Sequence, residues 1–148
     1  MTATLSEVPV SVELTNKDLI SDQLWTRLTK RIVKDEEGMT QALAERIMDQ
    51  ALGFLRLCAT EPDGHYSPSS LVDIGWHTFI LYTRDYAAFC DKVAGRFLHH
   101  NPFDEEGVDY GRGHVTRTVA AMKAHGITVD HALWITAKTD CDSDGSCG

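Results

Sequence analysis

Apolar residues recur every three or four positions along most of the chain, the period of helices with one buried face. From Thr15-Asn16, which can cap a helix, to about Asp35, Ile20, Leu24, Leu28 and Ile32 form one stripe, widened by Trp25 and Val33. Glu36-Glu37-Gly38 ends that element. Thr40 caps a second helix running to about Ala59, on Leu43, Ile47, Ala51, Leu55 and Cys58, with Met48 and Phe54 beside them. Pro62 and Asp63-Gly64 mark a turn, after which Ser67-Pro68 offers an N-cap and first position for a third helix to about Tyr82. A fourth begins near Asp85 and turns Tyr86, Phe89, Cys90, Val93 and Phe97 inward, with Gly95 loosening or ending it. Asn101-Pro102 stops the element, because a residue before proline disfavours the helical region. A fifth helix runs from about His114 to Ala124 on Val115, Val119 and Met122, closed by Gly126. A short turn from Asp130 to Ile135 carries Trp134.

No alternating strand pattern and no repeat interrupts this series, so the expected fold is all-α. It is a single compact domain of about five helices, with helices three and four as a central hairpin. The helical domain covers 15–136, between a flexible N-terminal segment, 1–14, and an acidic Cys-containing tail, 137–148.

Composition narrows the function classes. The 148 residues suffice for a core without disulfide staples. With 14 Lys and Arg against 22 Asp and Glu, the net charge is −8, which argues against a nucleic-acid partner. The most apolar stretch, 71–82, is interrupted by Asp73 and His77 and is too short to span a membrane. The N-terminus lacks the basic start and apolar run of an export signal, so a cytoplasmic location is expected. Much of the acid lies in the 103–109 loop and the tail. The tail's Asp140, Asp142, Asp144 and Gly145 copy the opening of a calcium loop. The acid needed at position twelve would fall past residue 148, so calcium is not expected there. Cys141 and Cys147 suit a reversible disulfide or a soft metal less well than they suit a solvated tail.

Seven His and four Cys are the groups with chemistry to offer. Asp73 and His77 are four apart and share a helix face. A hairpin brings His77 towards Cys90 or the His99-His100 pair. Imidazole, thiolate and carboxylate are donors that zinc and iron accept. The expected metal set is His77, Cys90 and one of His99 or His100, with Asp73 as a ligand or as the carboxylate that orients His77. His65 stands just before the third helix and is a further candidate. The spacing His77-x12-Cys90-x8-His99 matches no standard zinc-finger pattern.

The Val-Asp, Trp-His, Tyr-x-x-Phe-Cys, Gly-x-Phe and His-His-x-Pro elements of this block resemble the glycine-rich-domain-containing protein family. The resemblance covers about a fifth of the chain. It implies that Asp73, Trp76, His77, Cys90 and His100 belong together. The long glycine-rich C-terminal region of plant members is missing, so no RNA-related role is carried over.

Several functions fit these residues. A fully ligated zinc or iron makes a structural or regulatory module, whereas an open coordination position favours an enzyme. If Cys90 only packs, Asp73 with two histidines makes a two-His-one-carboxylate iron set. A Cys90–His pair oriented by Asp73 would be a thiol catalyst, although Cys90 beside Asp91 in mid-helix lacks the electropositive setting of an active thiol. A metal-free helical protein–protein interaction or regulatory module is the remaining class. The 103–109 loop and Tyr110 are candidates to shape a cleft for a small-molecule substrate.

Overall fold

The computed structural model describes residues 13–101 and 113–135. Among these residues the fold is all-helical, with no strand. The helices are α1 (Asp22–Asp35), α2 (Gln41–Thr60), α3 (Ser70–Leu81), α4 (Thr83–Ala94) and α5 (Gly113–Ala124), with 3-10 turns at Lys17–Leu19 and His131–Leu133. Residues 1–12, the acidic 103–109 loop, Tyr110 and the tail with Cys141 and Cys147 lie outside the described residues.

Helix α2 is the bed of the fold and packs against each of the other four helices. Ala44, Ile47, Met48, Ala51, Leu52, Phe54, Leu55 and Leu57 are all wholly buried, so α2 is apolar around most of its circumference. Trp25, Leu28 and Ile32 of α1 cover one side of it, and Val72, Trp76 and Phe79 of α3 belong to the same core. At the α2–α3 crossing the backbones approach closely. A Cβ on Gly75 would stand 2.8 Å from the Ala51 Cβ and 3.2 Å from the Ile47 carbonyl oxygen.

The helix boundaries move where a cap has other work. Thr40 caps α2 as its sequence suggests, accepting from Leu43 N at 3.1 Å. The first helix begins seven residues later than Thr15, with Ser21 as its cap. Asn16 cannot serve there because it grips α2: its backbone N–H donates to Asp49 Oδ1 at 2.7 Å, and its side-chain amide to the Asp49 carbonyl at 3.1 Å. Helix α3 likewise starts at Ser70 with Ser69 as cap, rather than at Pro68 behind Ser67. Ser67 is held instead by Thr118 of α5, whose hydroxyl donates to the Ser67 carbonyl at 2.7 Å. Helix α4 ends at Gly95, which takes the left-handed conformation (φ +70°) favoured at helix C-termini. Phe97 to His100 are therefore not helical.

The turn after α5 returns to α2 through polar contacts. Gln50 Oε1 accepts from Asp130 N at 2.9 Å and from Trp134 Nε1 at 2.7 Å, while its Nε2 donates to the Thr128 carbonyl. Arg46 makes a bidentate pair with Asp130 at 2.8 and 2.9 Å. Ser69 donates to the Leu133 carbonyl at 2.7 Å.

Two outcomes follow from this packing. Gly75→Val must push α3 off α2 and should cost about 1–3 kcal/mol in urea unfolding; an unchanged midpoint would mean that the crossing is loose. Asp49 is buried, and burial raises its carboxyl above the usual range against the opposing hydrogen bonds from Asn16 and Gln50. A carboxyl raised on folding contributes fully at pH below its unfolded value and loses that contribution as pH rises through the folded one. The stability of Asp49→Asn relative to wild type should therefore increase as pH rises from about 4. A relative stability that falls with pH would show the hydrogen bonds outweighing desolvation.

Candidate functional site

The residues singled out between 71 and 102 meet where the chain leaves α4 and returns across α3. Tyr82 is the only residue between α3 and α4, and the two helices pack on each other. Phe79 of α3 contacts Tyr86 and Phe89 of α4, with ring centroids 5.2 Å apart in each case. Behind Gly95 the segment 96–101 has no helical ladder of its own, and side chains of the hairpin hold it.

Tyr86 is the centre of that hold. Its hydroxyl accepts from Trp76 Nε1 at 2.9 Å and donates to the Leu98 carbonyl at 2.5 Å. One turn along α4, the Cys90 sulfur accepts the Leu98 N–H at 3.4 Å. Both polar groups of the Leu98 peptide unit pair are thus taken by side chains four apart on one helix. Tyr86, Cys90 and Leu98 are all buried. Burial pushes the Tyr86 phenol well above its ordinary range, so it remains a donor.

Two residues further on, His100 reaches α3. Its Nε2 lies 2.7 Å from Asp73 Oδ1, and its ring lies against Trp76 at a centroid distance of 4.3 Å. With Asp73 ionised, the imidazole nitrogen is the donor. Asp73 occupies the first turn of α3, where a carboxylate interacts favourably with the helix N-terminal end. Both side chains are about one-third exposed, at 39% for Asp73 and 26% for His100. His77, one turn below Asp73 on the same face, is exposed, and its ring centroid is 6.3 Å from that of His100.

The candidate ligands therefore separate into two groups. Asp73, His77 and His100 share one open rim. Cys90 lies on the buried side, with its sulfur engaged by the backbone. His99 turns to the Phe97 ring at 4.9 Å and is exposed. His65 sits in the α2–α3 connection, where Arg117 donates to its carbonyl at 2.9 Å. Among the described residues, no three His, Cys, Asp or Glu side chains stand ready-placed to hold a metal ion.

Sequence reasoning read Tyr86 as an inward-facing apolar position and missed its polar role. The available signal was the spacing of Tyr86 and Cys90, which puts a donor and an acceptor on one helix face. The acceptor and donor they meet belong to the backbone of Leu98, and no side-chain pattern marks those.

The chain belongs to the UCP032817-like family, whose family model matches residues 15–108. That family is uncharacterised, and the match corrects the resemblance to glycine-rich-domain-containing proteins. Of the residues behind that resemblance, Trp76, Tyr86, Cys90 and His100 take part in packing and hydrogen bonding here. No curated protein and no solved structure matches the chain.

The placement of Cys90 has a direct consequence. With Cys58, Cys141 and Cys147 replaced by Ser, the remaining thiol should react with a disulfide reagent only as fast as the protein opens. Urea should accelerate that reaction by orders of magnitude. Immediate labelling of the native protein would put Cys90 at the surface and restore the thiol-catalyst reading.

Proposed function

We propose that this UCP032817-like protein binds a divalent transition metal, zinc or iron, on the rim formed by Asp73, His77 and His100. The observation that carries the reading is His77, an exposed second imidazole whose ring centroid lies 6.3 Å from that of His100 beside the partly exposed Asp73–His100 pair. Metal–nitrogen and metal–oxygen bonds are about 2.0–2.2 Å, so two donors on one ion stand roughly 3.0–3.5 Å apart. Asp73 and His100 are already close to that separation. An ion held by both would stand beside the line that joins them, with the two atoms moved slightly apart, and exposed His77 would have to turn inward about its side-chain torsions to become the third donor.

Two imidazoles and a carboxylate suit zinc or iron(II) and leave coordination positions free for water or an outside ligand. An open position is the arrangement of catalytic rather than structural sites. Cys90 is not part of this set, which removes the thiolate that would have favoured a closed structural zinc. A cytoplasmic setting belongs to the same reading and accords with the unpaired Cys58 and Cys90 thiols.

A second reading is a metal-free helical interaction or regulatory module. It draws on the same bond, since the pairing and the Trp76 contact already satisfy Asp73 and His100.

Elemental analysis after growth with zinc and iron supplied separates the two. We expect about one equivalent of metal per chain, lost in His77→Ala and in His100→Ala. Because His77 is exposed, His77→Ala should leave the melting temperature of the metal-free protein unchanged. Less than about a tenth of an equivalent in the wild type overturns the metal reading and leaves the module.

A further inference from the structure

We infer that Tyr86 is a positioning residue for the rim, which through the Leu98 carbonyl sets where His100 stands against Trp76 and Asp73. The inference rests on the metal reading above and adds to it the element that controls affinity. Among the described residues, no backbone–backbone hydrogen bond ties residues 96–101 to the rest of the chain. The segment hangs instead on side-chain contacts. Arg96 donates to the Cys58 carbonyl at 2.9 Å, Tyr86 and Cys90 hold the two sides of Leu98, and His100 meets Asp73.

These contacts are unequal. Arg96 holds the beginning of the segment, four residues from His100, and its bond is exposed. A thiol sulfur is a weak acceptor, so the Cys90 contact is the lesser half of the Leu98 clamp. The Tyr86 hydroxyl, by contrast, is a full O–H donor to a buried carbonyl oxygen. Its own place is fixed by the Trp76 indole and by ring-edge contacts to Phe79 and Phe97 at 5.2 Å each. Trp76 takes part twice, since the indole that donates to Tyr86 also carries the His100 ring. Tyr86 and Trp76 thus place both the backbone two residues before the imidazole and the surface on which the imidazole lies. Removing the hydroxyl frees Leu98 on the carbonyl side and lets His100 drift, without touching any metal donor.

Cobalt(II) is the probe, because its visible absorption reports both affinity and coordination geometry. Tyr86→Phe should bind cobalt about 10-fold more weakly than wild type, the loss typical when a group orienting a ligand is removed. Its visible bands should also be broadened or shifted. Cys90→Ala, which removes only the weaker half of the clamp, should lose less but in the same direction. Leu28→Ala supplies a destabilised control remote from the rim, and should melt earlier while binding cobalt with wild-type affinity and spectrum. Should Tyr86→Phe fail to fold, Cys90→Ala against Leu28→Ala decides. Wild-type affinity and spectrum in the folded clamp variants overturn the positioning role while leaving the metal site intact. A wild-type protein that binds no cobalt overturns the site itself and the positioning role with it.

Discussion

The structure is organised by the need to pair polar groups that its central helix carries into the interior. Helix α2 is covered on nearly every side, yet Asp49 and Gln50 stand in the middle of it and are buried. An unpaired polar group in such a place costs on the order of 1–3 kcal/mol, a substantial part of a small domain's stability. Asp49 is answered by the segment before α1, and Gln50 by the turn after α5. Two remote parts of the chain are thereby brought to one helix. Among the described residues, the Asn16 side-chain oxygen is the exception, buried without a partner. A side chain on Gly53 would press on the Asn16 amide at 2.8 Å, so the glycine makes room for that contact.

The same requirement builds the rim. Once Gly95 ends α4, the chain must cross the hairpin with unpaired backbone groups, and Leu98 is buried while doing so. Tyr86 and Cys90 meet this need from positions four apart. A phenol can accept from an indole and donate to a carbonyl at once, which phenylalanine cannot. The clamp explains why a tyrosine and a cysteine stand with Phe89 on the buried face of α4. Beyond the clamp, His100 meets Asp73 and Trp76, whereas His99 lies against Phe97.

How much of this was legible in the sequence depends on the partner of each residue. Thr40, Gly95, and the stripes of α1 and α2 act through local geometry, and their spacing was enough to place them. Asn16 and Ser67 look like caps of the same quality, but long-range contacts claim them, and no local pattern records a partner 33 or 51 residues away. The candidate site divides in the same manner. Helical periodicity put Asp73 and His77 on one face, and the tight connection brought the following segment back to them. The chemistry of Cys90 allows it to be a ligand. Its burial and its backbone partner follow from tertiary packing, and chemistry alone does not distinguish a thiol that binds metal from one that caps an amide.

The Asp73–His100 bond has a place in both accounts of the rim. As a hydrogen bond it closes the returning segment onto α3; as a pair of donors it is half of a metal site. The residues around it are likewise accounted for without an ion: Trp76 supports the ring, Tyr86 and Cys90 hold the backbone, and Leu98 fills the core. His77 is the remaining residue. It is exposed, it lies one turn from Asp73, and its ring is T-shaped to that of His100, yet the clamp makes no use of it. A staple needs one imidazole on this rim. The second is what a metal would require.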